Sequence, residues 1–192
     1  MSEPAQRILV AGVGNIFLAD DGFGVEVARR LAAEPSPPGV EIVDFGIRGV
    51  HLAYQLLEGY QTLVLIDAVS RGEEPGTVFV IEPDAGADAG ASFAPGALSP
   101  VGDAHGLDPD SVLRMVAALG GRPPRVLLVG CEPAEITERI GLSAIVARAV
   151  DEAVRIVRSL VNAAPAPGPE PPGADSEPGL SHWRLSCSSA SS

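Results

Sequence analysis

The 192-residue chain opens its first ordered pattern at Arg7-Ile8-Leu9-Val10-Ala11-Gly12, an apolar run closed by glycine. Apolar side chains without alternation predict a strand covered on both faces. The period then changes: between Gly24 and Ala33, the residues Val25, Val27, Ala28 and Leu31 fall at helical spacing. Asp20 and Asp21 precede them, where a helix N-terminus favours negative charge. Val40 to Phe45 predicts a second strand, and Gly49 to Leu57 a second helix with Leu52, Ala53, Leu56 and Leu57 on one side. Thr62 to Ile66 is a third strand, β-branched and apolar, with Asp67 at its end. Thr77 to Ile81 is a fourth, after the Pro75-Gly76 turn. Asp108-Pro109 opens a helix reaching Leu119, with Asp as N-cap and Pro at the first helical position. Arg125 to Gly130 is the fifth strand.

The last helix has the longest periodic stretch. Ser143 can cap it, and Ile145, Val146, Ala149, Val150, Ala153, Val154, Val157, Leu160 and Val161 form its apolar stripe. On the opposite face, Arg148 with Glu152 and Asp151 with Arg155 stand four residues apart, pairs worth about 0.2–0.5 kcal/mol each. Strands alternating with helices predict an α/β fold: three layers, doubly wound around a mostly parallel sheet of about five strands. Strands three and four are joined by too short a stretch for a helical crossover, so strand four is expected to run antiparallel at an edge.

Composition changes near Ala163. Residues 164–192 are rich in Pro, Gly, Ala and Ser, ending in Ser188-Ser189-Ala190-Ser191-Ser192. Such a segment buries too little apolar surface to offset its ordering entropy. The expected organisation is therefore one domain over 1–163 and a disordered tail over 164–192. His182 and Trp183 lie in that tail and are read as inert. Residues 83–106 form a long Gly/Ala/Asp/Ser/Pro loop, and loops of that length usually carry function.

The net charge is −12, and every basic residue is arginine. Taking the tail's Glu170, Asp175, Glu177 and Arg184 away leaves −10, so the acidity belongs to the predicted domain. An acidic surface repels phosphate backbones and argues against nucleic acid. The absence of lysine excludes a Walker phosphate loop and a Schiff-base mechanism. Cys131 and Cys187 are too few for a disulfide scaffold, which points to a reduced, cytoplasmic protein with Cys131 as a small buried hydrophobe. The N-terminus lacks the charged and apolar regions of a secretory signal, and no apolar run approaches the roughly 20 residues that cross a bilayer. A soluble monomer, away from membranes, is the expectation.

Ligands of open α/β sheets bind beyond the carboxyl ends of the strands. Asp20-Asp21 follow strand one, Asp67 ends strand three, and His105 closes the long loop. With a strand order of 2-1-3, Asp21 and Asp67 share one crevice. Two carboxylates and an imidazole suit a divalent first-row metal. Taken singly, each residue has a plainer reading: a helix cap for Asp20 or Asp21, a backbone acceptor for Asp67, a solvated loop side chain for His105. His51, in the second helix, is read as structural or surface.

Gly12-Val13-Gly14-Asn15-Ile16-Phe17 begins like a dinucleotide fingerprint, but Phe17 replaces the third glycine and the following acids would repel a pyrophosphate. Acids after strand one with an Asp ending strand three also describe a phosphoacceptor receiver domain. That domain needs a lysine after strand five, where this chain has Cys131-Glu132-Pro133.

Val10-Ala11-Gly12-Val13-Gly14-Asn15 followed by Asp20-Asp21-Gly22-Phe23-Gly24-Val25 resembles the opening of the [NiFe]-hydrogenase maturation endopeptidases. The similarity continues in order through Asp44-Phe45-Gly46-Ile47-Arg48-Gly49, Leu65-Ile66-Asp67-Ala68-Val69, Pro75-Gly76-Thr77-Val78, Ala104-His105-Gly106-Leu107, Gly130-Cys131-Glu132-Pro133 and Gly141-Leu142-Ser143. It covers about residues 7–160 and leaves out the tail. The resemblance implies a peptidase that trims the C-terminal extension of a hydrogenase large-subunit precursor once nickel is inserted. It places the three metal-contacting, catalytic positions on Asp21, Asp67 and His105, with nickel supplied by the substrate. In this chain Asp103-Ala104 precedes His105, where the family often has Ser or Pro. A non-catalytic metal-binding or chaperone module on the same fold is the alternative, ahead of the receiver.

Overall fold

The computed structural model describes residues 7–82 and 109–163. The strands are β1 (Ile8–Val13), β2 (Val40–Gly46), β3 (Thr62–Ala68), β4 (Val78–Ile81) and β5 (Arg125–Cys131). The helices are α1 (Phe23–Ala32), α2 (Gly49–Leu56), α3 (Pro109–Ala118) and α4 (Ala144–Ala163). A 3-10 turn over Ala19–Gly22 lies between β1 and α1. The strands form one sheet in the order β2-β1-β3-β5-β4. All pairs are parallel except β4 with β5, so the edge strand runs antiparallel as its short connection requires.

β1, β3 and β5 occupy the middle and are buried nearly end to end, which is why their sequences read as unbroken apolar runs. Alternate side chains serve the two faces. Val10, Val64, Ile66 and Val129 pack with Phe23 and Val27 of α1 and Val150 and Val154 of α4. Leu9, Leu63, Leu65 and Leu128 pack with Leu52 and Leu56 of α2 and Val112 and Val116 of α3. The result is three layers, α1 and α4 on one side and α2 and α3 on the other. The chain winds outward from β1 to β2, returns through α2 to β3, and continues the other way. The reversal lies between β1 and β3, at the carboxyl ends of neighbouring strands.

Three expectations change in detail. Leu57 falls beyond α2 and is 37% exposed, so the buried side of that helix is Leu52, Ala53 and Leu56. Ile145 is also largely exposed, at the very start of α4. The charges of α4 reach across to α1: Asp151 pairs with Arg30, and Arg158 with Glu34 at 2.6 Å. Helix packing brings α1 alongside α4, and that neighbour competes with partners along the helix. Residues 1–6, 83–108 and 164–192, and with them the expected 83–106 loop and C-terminal tail, lie outside the described residues.

Candidate functional site

The site begins with how β1 ends. Gly14 has φ +127°, and a Cβ there would stand 1.8 Å from the carbonyl oxygen of Asp21. Only glycine combines that backbone angle with such an approach. The loop then folds onto itself. Asn15 accepts the Phe17 N–H on Oδ1 at 3.0 Å, and its carbonyl accepts the Leu18 N–H at 3.0 Å. Ala19 takes φ +51°, the left-handed region that costs a residue with a Cβ about 1–2 kcal/mol. It is held there by its N–H to the Arg139 carbonyl at 2.7 Å. The first turn of α1 then lies directly over the sheet. A Cβ on Gly24 would meet the Ile66 carbonyl oxygen at 2.1 Å and that of Val13 at 2.4 Å. This approach sets the 3-10 turn above the ends of β1 and β3.

Asp21 stands in that turn, half-buried, and accepts the Asn15 N–H on Oδ2 at 2.7 Å. Asp67 is the penultimate residue of β3, half-buried, and accepts the Ala68 N–H on Oδ1 at 2.8 Å. Strand three thus continues one residue past Asp67. Burial raises the pKa of Asp21, against the pull of the Asn15 N–H. Burial, then the charge of Asp21, pushes Asp67 well above the usual carboxylate range, against the pull of the Ala68 N–H. The charge of Asp21 reaches Asp67, which puts the two side chains near one another at the carboxyl ends of β1 and β3. Two under-donated carboxylates that resist ionising together form a site that a proton or a cation would relieve.

The third predicted position, His105, lies outside the described residues. Among the described residues no three His, Cys, Asp or Glu side chains form a group able to hold a metal. His51 sits exposed on the first turn of α2. Cys131 is fully buried, and burial followed by the charges of Asp20, Glu132 and Glu152 pushes its thiol up to about 12. A thiol so protonated is no nucleophile at neutral pH. A cavity of about 310 Å³ opens between α1 and α4, lined by Ile16, Arg29, Arg30, Ile140 and Leu142 among others. Neither Asp21 nor Asp67 lines it, so it is separate from the aspartate crevice.

Two carboxylates have roles that the sequence does not announce. Asp20 does not cap a helix. It is fully buried and accepts from Ser143 N–H at 2.6 Å, Ser143 O–H at 2.9 Å, Ala134 N–H at 2.9 Å and Glu135 N–H at 3.1 Å. Glu132 accepts from Ser70 O–H at 3.0 Å, Arg71 N–H at 2.6 Å and Glu73 N–H at 3.3 Å. Burial alone would raise the Glu132 pKa, but the N–H of Arg71, the Ser70 hydroxyl and the N–H groups of Glu73 and Gly72 lower it overall. An acid directly after a buried strand was the only available signal for Glu132. The acidic doublet was the only one for Asp20.

The chain as a whole is similar to known proteins. The profile of the HycI hydrogenase maturation protease family matches residues 25–160. The hydrogenase expression/formation protein HupD of Rhizobium leguminosarum bv. viciae is 34% identical over 185 residues, 93% of this chain and 86% of that protein. HupD of Rhodobacter capsulatus is 34% identical over 160 residues, 80% of this chain and 72% of that protein. Among solved structures, the hydrogenase maturating endopeptidase HybD from Escherichia coli superposes with a TM-score of 0.68 at 30% identity, covering 83% of this chain and 94% of its own. The [NiFe] hydrogenase maturation protease HybD from Thermococcus kodakarensis gives 0.64 at 27%, covering 81% and 99%. These matches displace the receiver reading. With the sheet order, the switch-point crevice and these similarities together, the chain belongs to the hydrogenase maturation proteases, a family of peptidase hydrolases.

Proposed function

We propose that this protein is the endopeptidase that removes the C-terminal extension of a [NiFe]-hydrogenase large-subunit precursor after nickel insertion, with the Asp21–Asp67 crevice as its reacting centre. The observation that carries this reading is the pair of carboxylates at the switch point, each with one N–H donor and both raised in pKa. Such a pair is poised to accept a cation or to move a proton. Together with His105, Asp21 and Asp67 would hold nickel that the precursor brings, which supplies Lewis-acid polarisation of a nearby carbonyl. Within the chain, Asn15 N–H and Ala68 N–H orient the two carboxylates, and one of the pair accepts a proton from attacking water. Nickel in the precursor then acts as the licence for cleavage, because only a loaded precursor brings the charge that the crevice lacks.

The test is to incubate the protein with nickel-loaded and nickel-free precursor and weigh the products. Trimming of the loaded form alone is the expected result. Equal trimming of both would remove nickel from the recognition step, and binding without release of a peptide would favour the chaperone alternative.

A further inference from the structure

Asp20 and Glu132 play no part in the chemistry above, yet both are buried and both are densely bonded. They meet on one stretch of chain, the 132–143 segment between β5 and α4. Asp20 grips that segment at Ala134, Glu135 and Ser143. Its own N–H donates to the Glu135 carbonyl at 3.3 Å, and Ala19 N–H donates to the Arg139 carbonyl. At the other end Glu132 grips the loop after β3 through Ser70, Arg71 and Glu73. Its backbone closes the same loop, with its N–H to the Thr77 carbonyl at 3.0 Å and its carbonyl taking the Gly76 N–H at 2.8 Å.

The placement matters because each clamp is a short tether from a reacting carboxylate. Asp20 is the immediate neighbour of Asp21. Ser70 is three residues beyond Asp67, and the intervening Val69 N–H donates to the Cys131 carbonyl at 2.9 Å. Asp21, in the turn before α1, and Asp67, in β3, sit on different segments of chain. Something must hold those segments at a fixed separation. A carboxylate saturated by N–H and O–H donors is a directional, charge-assisted anchor that tolerates little displacement.

We infer that the 132–143 segment is a cross-brace that sets the separation of Asp21 and Asp67, with Asp20 and Glu132 as its positioning residues. The catalytic consequence rests on the reading of Asp21 and Asp67 as the reacting pair. The brace itself can be tested without it.

Two backbone amides report directly: Asn15 N–H, which donates to Asp21, and Ala68 N–H, which donates to Asp67. Asp20→Asn presents an amide NH2 where one carboxylate oxygen accepted, and Glu132→Gln does the same at the other clamp. Val157→Ala, in the buried stripe of α4, serves as a destabilised control. In amide-resolved NMR, Asp20→Asn should move the Asn15 resonance and speed its exchange, Glu132→Gln should do so at Ala68, and Val157→Ala should leave both unchanged. With precursor as substrate, each clamp variant should lose about tenfold or more in kcat with KM held within about twofold. Should Asp20→Asn fail to fold, Ser143→Ala keeps the Ser143 N–H bond to Asp20, removes the hydroxyl bond to it together with the 3.4 Å bond from Val146 N–H, and must still move Asn15. If the clamp variants lower Tm like Val157→Ala while Asn15, Ala68 and kcat stay at wild-type values, the brace is overturned. If the wild type trims no precursor, the proposed function falls, and the two amides still decide the brace.

Discussion

Four acidic side chains near the ends of β1, β3 and β5 fall into two sets. Asp20 and Glu132 are buried and saturated with donors. Asp21 and Asp67 lie within a few residues of them, keep some exposure, and each takes one N–H. All four are carboxylic acids, three Asp and one Glu, and the neighbourhood is shared, so the number of donors decides what each acid does. A saturated carboxylate ties chain segments together. An under-donated one in a crevice is raised in pKa and has lone pairs left for a ligand. Stability and chemistry are thus divided between Asp20 and its sequence neighbour Asp21, and between Glu132 and Asp67 at the ends of neighbouring strands.

This division can be broken experimentally, and the largest effect should come from the under-donated set. Asp67→Asn should cut cleavage at least about a hundredfold, the scale of a lost acid–base group, in a timed assay on the precursor. Its stability should move the other way. A carboxyl whose folded pKa is raised contributes stability at low pH that is lost as pH rises through the folded value. Above the usual carboxylate range the raised Asp67 therefore weighs against the fold, and Asp67→Asn without ligand should melt no lower than the wild type. Denaturation followed by circular dichroism at neutral and acidic pH checks this: the gap should close as pH falls below the usual carboxylate range. Loss of stability at neutral pH would place Asp67 in the structural set.

The glycine approach gives the next effect. Gly24→Ala drives a Cβ into backbone carbonyls of β1 and β3 and should cost about 3 kcal/mol in urea unfolding. Asp20→Asn should cost about 2–3 kcal/mol by the same measurement, since it replaces a charged acceptor and leaves buried donors facing an NH2 group. The smallest effect marks the outer limit of the comparison. Arg30→Ala, which removes surface pairs with Asp151 and Glu26, should change stability by no more than about 1 kcal/mol, and less in high salt.

How far these roles can be read from sequence depends on the range of the forces involved. The buried strands are legible because their burial is written residue by residue in apolar runs. The antiparallel edge of β4 follows from the length of one connection. Asp67 is legible because a lone acid at the end of such a run must lie at a strand's carboxyl end, and Asp21 joins it once β1 and β3 are neighbours. Asp20 is not legible, because its donors come from 114 and 123 residues away. Glu132 reaches back 61 residues to Arg71 in the same way. The charges of α4 mislead for a related reason: Asp151 finds Arg30, 121 residues distant, before a partner on its own helix. Hydrophobic pattern is local, whereas the saturation of a carboxylate depends on what the finished fold brings to it.

The central claim is that the Asp21–Asp67 crevice trims a hydrogenase large-subunit precursor. Its most direct test is the intact mass of a nickel-loaded precursor after incubation with the wild-type protein and, in parallel, with Asp67→Asn. The wild type is expected to release a C-terminal peptide and the variant to leave the mass unchanged. An unchanged mass with both, or the same peptide released by both, would contradict it.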